Sequence, residues 1–328
     1  MNLMTGGLQV QALRTFETLS ALGGDIRAEL FDWTTKEPPA DIYHFIGLPS
    51  YLAQVVELVR EARRPYIITL LFGSDSSAIC MWSAAIRQYL NSQVLRRSSR
   101  YNAVVNAQRI VTATKADAEA AHVIYGVDKG RIEVIPHGIA PEFYHLSPKP
   151  WQDRYGASPF VLCVGAIQRR KGQLLLAQAC NALKLPLVLL GPVLPGEKDY
   201  GAEVDRAVQA NAEFGGRWLQ NLNNHDPLLQ SAYDASRMVA LLSASETQPI
   251  SVLEAMAARK PVLLQRAAYT RDPLFKDLPQ VSYPSLDQVV RTLQGCWHEA
   301  KPTRLSKEFS WPSVAARLQG IYRSLQKD

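Results

Sequence analysis

The sequence lacks several features that would set the protein apart from ordinary globular proteins. No apolar run approaches the roughly 20 residues that cross a bilayer. The first residues, MNLMTGGLQV, lack the basic and apolar regions of a signal peptide. The four cysteines are scattered, without the short spacings of zinc or redox sites. These absences predict a cytoplasmic protein with reduced thiols and no metal centre.

The length of 328 residues exceeds that of a usual single domain, so two domains of about 150 residues are expected. The 47% hydrophobic and 20% charged fractions are typical of globular proteins. The formal net charge of +6 fits an anionic ligand, nucleic acid or a membrane surface. A solvated basic surface is the simpler explanation of that charge.

A basic segment near residue 90 reads as an amphipathic helix. WSAAIRQYLNSQVLRRSSRY, residues 82–101, carries Arg96, Arg97 and Arg100 beside apolar positions. A helix of this kind can lie on anionic lipid, which predicts a peripheral membrane contact. Packing against a neighbouring domain is the alternative.

Helix-like and strand-like segments alternate along both halves of the chain. The front half has the strand candidates AELFDW, DIYHFIG, PYIITLLF, RIVTAT and RIEVIPHG, and the back half starts a second series at FVLCVG. A polar stretch rich in proline and glycine, residues 145–159, is the predicted linker. The pattern predicts an α/β protein with two doubly wound domains and ligands beyond the carboxyl ends of the strands.

The segment SASETQPISVLEAMAARKPV, residues 243–262, contains the strongest candidate site. Pro249 stands where a helix should begin, at a favoured first helical position, and Ile250 and Ser251 then offer unpaired amides to an anion. Glu246 and Glu254 flank this point, which suits a diphosphate between two hydroxylated sugars. Spacing alone leaves an even choice between that site and a simple charged helix start.

Three further segments add weaker candidates. VGAIQRRKGQ, residues 164–173, places Arg170 and Lys171 after a strand, where they can neutralise a diphosphate. Gly6 and Gly7 precede a helix and allow close backbone approach, although a plain turn is the common meaning. His44 and His137 are candidate cleft residues, with a hydrogen-bonded core histidine and a turn as the respective alternatives.

Taken together and in order, these motifs resemble glycosyltransferase family 4, the retaining transferases with the two-domain GT-B fold. The resemblance covers nearly the whole chain, from TGG to the final FSWPSVAARLQGIY. It implies two Rossmann-like domains facing a central cleft. Residues 1–147 and the last helix, about 304–328, would form the acceptor side, and residues 148–303 would bind the donor.

The resemblance also implies roles for individual residues. Glu254 would hold the nucleotide ribose and Glu246 the donor sugar, while Arg170 and Lys171 would bind the donor phosphates. The remaining donor-side positions carried over from the family are the backbone at Ile250 and Ser251, Gly165, and the glycine pair Gly6 and Gly7. No cofactor is expected beyond the substrate itself, a UDP- or GDP-type sugar.

Several positions depart from the family pattern. Ala166 stands where an arginine usually follows Gly165, and Arg259 stands where a glycine is common. The histidine often found after the PYIITL strand is replaced by Leu71 or Phe72. Only MNLMT precedes the glycine pair, where the family has a central strand, so we expect the natural start to lie upstream and Met1 to be internal.

The expected function is transfer of a hexose-type sugar to a hydroxyl of a growing glycan or lipid-linked acceptor, with retention and without a metal ion. Cell-envelope polysaccharide synthesis is the setting that the resemblance implies. Two alternatives stay open at this point: a catalytically weak nucleotide-sugar-binding partner subunit, and a sugar-nucleotide epimerase of the same architecture.

Overall fold

The computed structural model describes residues 7–31, 40–72, 98–222, 226–282, 284–299 and 301–326. The chain divides into two units. The first comprises Met1–Gly138 with Lys307–Asp328, and the second comprises Ile139–Ser306. The boundary at 147/148 proposed from the sequence lies later in the chain than Gly138.

The first unit contains a four-stranded parallel sheet whose strands follow one another in chain order. Its strands are β1 (Tyr43–Ile46), β2 (Tyr66–Leu70), β3 (Arg109–Thr112) and β4 (Ile132–Val134). Its helices are α1 (Gly7–Leu22), α2 (Ser50–Glu61), α3 (Ser99–Asn106), α4 (Lys115–Tyr125) and, from the end of the chain, α11 (Trp311–Leu325). All five residues of β2 are buried, as expected of an inner strand in a parallel sheet.

Local sequence signals account for the helix ends in the first unit. Thr114 caps α4, where its hydroxyl accepts a hydrogen bond from the amide of Asp117 at 3.1 Å. Gly126 ends the same helix in a left-handed conformation with a φ of 68°. The last helix, α11, packs on α1, and Arg323 forms a 2.8 Å ion pair with Asp25.

One predicted strand of the front half is wrong for its described part. Residues 28–31 of AELFDW are described and belong to no strand or helix. They follow Gly23 and Gly24, both with positive φ, and Leu30 and Phe31 are largely exposed. Within the described ranges, neither sheet includes this exposed segment, and a strand forms only where a neighbouring strand supplies its hydrogen bonds.

The second unit contains a six-stranded parallel sheet. Its strands are β5 (Val161–Val164), β6 (Leu187–Leu190), β7 (Arg217–Leu219), β8 (Met238–Leu241), β9 (Val262–Gln265) and β10 (Gln280–Val281). Its helices are α5 (Lys149–Tyr155), α6 (Gln173–Leu183), α7 (Lys198–Asn211), α8 (Pro227–Ala235), α9 (Ile250–Ala257) and α10 (Leu286–Glu299). The strand order β10-β9-β8-β5-β6-β7 makes this a doubly wound sheet.

The proposed linker at 145–159 is largely ordered structure of the second unit. It contains helix α5, in which Trp151 is only 2% exposed. The indole packs on Tyr155 and Phe160 with ring centroids 4.7 and 5.0 Å away. Proline and glycine therefore mark the ends of a short packed helix here, because Pro150 lies in its first turn and Gly156 ends it.

None of the helices in the described part of the chain combines the length and the apolar character that a membrane span requires.

Candidate functional site

The candidate site lies in the second unit, where the chain order of the strands reverses. Strands β5 and β8 are neighbours, and successive strands run outward from them in opposite directions. The loops after β5 and β8 therefore leave the same edge of the sheet side by side. In doubly wound sheets this point forms the crevice in which ligands bind.

Glycine allows the loop after β5 to fold back on itself. Gly165 has a φ of 144°, and a Cβ atom there would lie 2.8 Å from Nζ of Lys171. Gly172 has a φ of 65°, and a Cβ there would lie 2.7 Å from the carbonyl oxygen of Leu242 in the loop after β8. The missing side chains let the basic turn, Arg169–Lys171, approach both its own strand and the neighbouring loop.

Arg170 joins the two loops. Its Nη1 donates hydrogen bonds to Glu246 Oε1 at 2.9 Å, to Ser243 Oγ at 3.1 Å and to the carbonyl of Ser245. Its own carbonyl accepts a hydrogen bond from the amide of Ala244 at 2.9 Å. The sequence separation of these partners is large, so the sheet brings together what the sequence predicted as two separate candidates.

Glu246 is the centre of a cluster with Arg170, Lys171 and Ser243, the Glu246 cluster. Lys171 Nζ lies 3.6 Å from Oε1 of Glu246, and these two side chains are only 15% and 14% exposed. The buried hydroxyl of Ser243 donates to the same oxygen at 2.9 Å. The side chains of Arg170, Lys171 and Glu246 carry two positive charges and one negative charge, which leaves a local excess of positive charge suited to an anion.

Arg169, next to Arg170, is directed elsewhere. Its guanidinium lies 4.9 Å from the ring centroid of Tyr200 and 3.5 Å from the carboxylate of Glu203, both on α7. Its amide donates to Glu197 at 3.3 Å. Of the adjacent arginines, Arg170 is therefore the one that faces Glu246.

Helix α9 begins beside this cluster. Pro249 is the residue before the helix and not its first residue, which corrects the sequence-based placement by one position. Its extended conformation, with a ψ of 112°, lets its carbonyl accept from the amides of Val252 and Leu253. The amides of Ile250 and Ser251 precede these bonds, in the first turn where helix amides lack intrahelical acceptors.

Glu254 is fixed by a residue that the sequence did not predict. The hydroxyl of Tyr233, on α8, donates to Oε2 of Glu254 at 2.5 Å. Burial, with a contribution from the charge of Glu254, raises the pKa of Tyr233 well above its usual value, so the tyrosine stays a donor. Nothing in the local sequence of α8 signals this contact, since Tyr233 reads as one more apolar position of the helix.

Two of the predicted site residues, His44 and His137, belong to the first unit. The ring of His44 is hydrogen bonded to the hydroxyls of Tyr322 at 2.7 Å and Thr69 at 2.8 Å. Burial lowers the pKa of His44 and that of His137 to about 4. His44 thus has the satisfied hydrogen bonds of a core histidine, the alternative that its sequence context favoured.

Some predicted residues lie outside the described part of the chain. Gly6, Arg96 and Arg97 are not described, so the predicted basic helix is untested there. Gly7 is the first residue of α1, and Arg100 lies exposed in α3. Within the described ranges, no cluster of three or more His, Cys, Asp or Glu side chains could hold a metal ion.

Comparison with known families identifies the part of the chain that carries the site. Residues 150–277 match the family model described as glycosyl transferases group 1. The matched range includes Arg170, Lys171, Glu246 and Glu254.

Curated relatives are D-inositol 3-phosphate glycosyltransferases. The protein from Corynebacterium urealyticum is 30% identical over 258 residues, which cover 70% of this chain and 60% of the relative. The protein from Pseudarthrobacter chlorophenolicus is 30% identical over 186 residues, which cover 52% of this chain and 42% of the relative. The chain spans about half the length of the curated relatives it matches.

Solved structures share the fold at low sequence identity. Anabaena Alr3699/HepE in complex with UDP-glucose superposes with a TM-score of 0.63 at 18% identity, covering 88% of this chain and 79% of that one. WaaG, described as a glycosyltransferase involved in lipopolysaccharide biosynthesis, gives a TM-score of 0.60 at 16% identity and covers 99% of this chain and 95% of that one.

Proposed function

We propose that this chain is a group 1 glycosyl transferase with the GT-B fold, and that it is a retaining hexosyltransferase of family 4. Its donor is a nucleoside diphosphate sugar, and its acceptor is a hydroxyl of a growing glycan or of a lipid-linked glycan. Support for the UDP form comes from the structural neighbour whose crystal contains UDP-glucose, and a GDP sugar is the other candidate.

The observation that carries this proposal is the Glu246 cluster. Arg170 and Lys171 both pair with Glu246, at 2.9 and 3.6 Å, at the point where the sheet of the second unit reverses its strand order. An excess of positive charge at that point, next to the amides that open α9, suits a diphosphate. The same segment carries Glu254 one turn further along α9.

Each group has a separate task in donor binding. Arg170, Lys171 and the amides of Ile250 and Ser251 bind the diphosphate. Glu254, held by Tyr233, accepts hydrogen bonds from the ribose hydroxyls. Glu246 orients the donor sugar after the diphosphate has taken over its cationic partners.

The reaction breaks the bond between the anomeric carbon and the diphosphate oxygen, and the electron pair leaves with the diphosphate. The acceptor hydroxyl oxygen forms the new bond on the same face, and its proton passes to the leaving phosphate. Arg170 and Lys171 stabilise the growing negative charge, an effect usually worth about 3–4 kcal/mol for one such donor. Glu246 supports the positive charge that develops on the sugar ring.

The working location that we propose is the cytoplasm, with transient contact to the inner face of the membrane through the segment that includes Arg96, Arg97 and Arg100. The chemistry proposed here needs no metal ion, because side-chain cations and helix amides supply the positive charge at the diphosphate. Assembly of cell-envelope polysaccharide is the setting, supported by the structural neighbour described as acting in lipopolysaccharide biosynthesis.

A second candidate function is a partner subunit that binds a nucleotide sugar without efficient transfer. Ala166 favours it, because the family usually has an arginine there and this chain supplies only a backbone carbonyl, bonded to Gln173 at 3.0 Å. Loss of one phosphate-binding cation would slow departure of the diphosphate more than it would weaken donor binding.

One experiment separates the two functions. Thermal unfolding is measured with a panel of UDP and GDP sugars, since a ligand that binds the folded state raises Tm by mass action. Stabilising donors are then tested for hydrolysis and for transfer to glycan acceptors. Binding with turnover supports the transferase, binding without turnover across donors and acceptors supports the partner subunit, and no binding by any member of the panel contradicts both.

A further inference from the structure

A tyrosine beside the Glu246 cluster has a buried hydroxyl that the proposed donor contacts do not use. Tyr269 follows β9 and begins the short helical turn Tyr269–Arg271. Tyr269 is only 6% exposed, and its hydroxyl oxygen has no hydrogen-bond partner among the residues that the structure describes. A buried polar group without a partner costs folding free energy, so such a group needs an explanation.

The ring of Tyr269 is held firmly in place. It makes an edge contact with the fully buried ring of Phe275, with centroids 6.1 Å apart. The turn itself is fixed by Thr270, whose hydroxyl accepts from the amide of Ala267 at 3.1 Å and lies 3.0 Å from Gln280. Because the ring and the turn are both fixed, the hydroxyl of Tyr269 cannot easily rotate outward to form a hydrogen bond with water.

The sheet places this turn on the Glu246 side of the site. Strand β9 pairs with β8, and β8 pairs with β5. The loop after β8 carries Glu246, whereas the basic turn with Arg170 follows β5, one strand further away. Glu246 therefore follows the strand next to β9, whereas Arg170 follows a strand two places from β9.

Electrostatics agree with this placement. Burial is the main cause that raises the pKa of Tyr269 above its usual range; the charge of Glu246 raises it further and that of Arg170 lowers it. The hydroxyl consequently keeps its proton and can serve as a hydrogen-bond donor to a carboxylate.

We propose that Tyr269 is a positioning residue that holds Glu246 once the donor is bound. In the structure, the carboxylate of Glu246 pairs with Arg170 and Lys171 and accepts a hydrogen bond from Ser243. When the diphosphate recruits the two cations, the carboxylate turns toward β9 and accepts a hydrogen bond from Tyr269, which sets its orientation toward the sugar. The inference rests on the proposed function, since it requires a diphosphate sugar at this site.

The test compares a nucleotide with its sugar conjugate. Calorimetric titrations use UDP with UDP-glucose and GDP with GDP-mannose, on the wild type and on Tyr269→Phe. The substitution should weaken binding of the sugar nucleotide about 10-fold, the usual effect of a hydrogen bond to a charged group, and should change binding of the bare nucleotide less than 2-fold. An equal loss for both ligands, or no loss for either, overturns the inference.

The same substitution in a Glu246→Ala background identifies the partner of the hydroxyl. If Tyr269 acts through Glu246, Tyr269→Phe should have less than a 2-fold further effect in that background. A loss that persists there means a direct contact of Tyr269 with the sugar and overturns the positioning role.

Thermal unfolding of the ligand-free protein provides the structural control. Tyr269→Phe should leave Tm unchanged or higher, because the hydroxyl has no hydrogen-bond partner to lose among the described residues. Tyr200→Phe is the matched variant: that hydroxyl accepts from the amide of Leu174 at 3.0 Å, so its removal should lower Tm by about 2–4 °C. A comparable fall in the Tm of Tyr269→Phe overturns the inference. A wild type that binds neither ligand pair in the titrations contradicts instead the proposed function on which the inference rests.

Discussion

The two adjacent arginines of the basic turn should differ sharply in their effect on nucleotide binding. The perturbation is Arg170→Gln, with Arg169→Gln as its matched control, since both replace a charged side chain with a neutral one in the same turn. Arg170 contacts Glu246 and Ser243 in the site, whereas Arg169 contacts Tyr200 and Glu203 on α7.

The magnitude follows from the contacts of each guanidinium. A charge-assisted hydrogen bond to phosphate is worth about 1.5–3 kcal/mol, so Arg170→Gln should weaken binding of a nucleoside diphosphate about 10- to 100-fold. The Arg170 side chain is 40% exposed, so its ion pair with Glu246 should contribute no more than about 1 kcal/mol to folding. The Arg170→Gln protein should therefore stay folded, so its loss of affinity reports on the binding site and not on unfolding.

Isothermal titration with UDP and with GDP measures the affinity of each variant, and thermal unfolding measures its Tm. Arg169→Gln should change the affinity less than about 2-fold, because its exposed contacts are worth little. Equal losses for the two variants, or a larger loss for Arg169→Gln, would show that Arg170 has no separate role in binding the diphosphate.

Three further predictions concern other residues. Glu246→Gln should raise nucleoside diphosphate affinity by at most about 5-fold, since it removes a competitor worth about 0.2–1 kcal/mol, while sugar transfer falls; a 10-fold loss of nucleotide affinity in titration would contradict this. Arg259→Gly and Lys184→Gly should each raise the free energy of unfolding by about 0.5–1 kcal/mol in urea titrations, because the φ angles of 57° and 54° strain a non-glycine residue; a loss of stability in both would contradict the strain. Because burial lowers the pKa of His44 and His137 to about 4, below the ordinary 6.5, stability is retained above pH 6.5 and falls as the pH drops, by about 2 kcal/mol per histidine at pH 5; a Tm that does not change between pH 7 and 5 would contradict it.

Repeated local signals made the fold predictable. Alternating apolar strands and amphipathic helices predicted two parallel sheets, and the structure has them, including the buried run of β2. The errors fell where composition was ambiguous. Residues 28–31 of AELFDW are strand-forming in type but belong to neither sheet in the described part of the chain, and the prolines and glycine near Trp151 mark a short helix and not an open linker.

Candidate site residues could be named from the sequence only where they lie beside the end of a strand or the start of a helix. Glu246, Glu254, Arg170 and Lys171 lie in such segments, and their roles stay predictions. Tyr233 and Tyr269 could not be found that way, because their relation to the two glutamates is set by packing between elements distant in sequence.

One departure from the family pattern coincides with backbone strain. Arg259 stands where a glycine is common, and the structure gives it a left-handed conformation with a φ of 57°. The distinction between Arg169 and Arg170, in contrast, depends on which way each side chain leaves one turn of helix. That direction is decided by Tyr200 and Glu203 on α7, which no local pattern near residue 170 encodes.

Titration of the stabilising donor into wild type and Glu254→Ala measures whether the second unit binds a nucleoside diphosphate sugar through Glu254 and the neighbouring cluster. Wild type should bind with a measurable affinity and the variant about 10- to 100-fold more weakly, since each decade corresponds to about 1.4 kcal/mol. An unchanged affinity in a folded Glu254→Ala protein would contradict it.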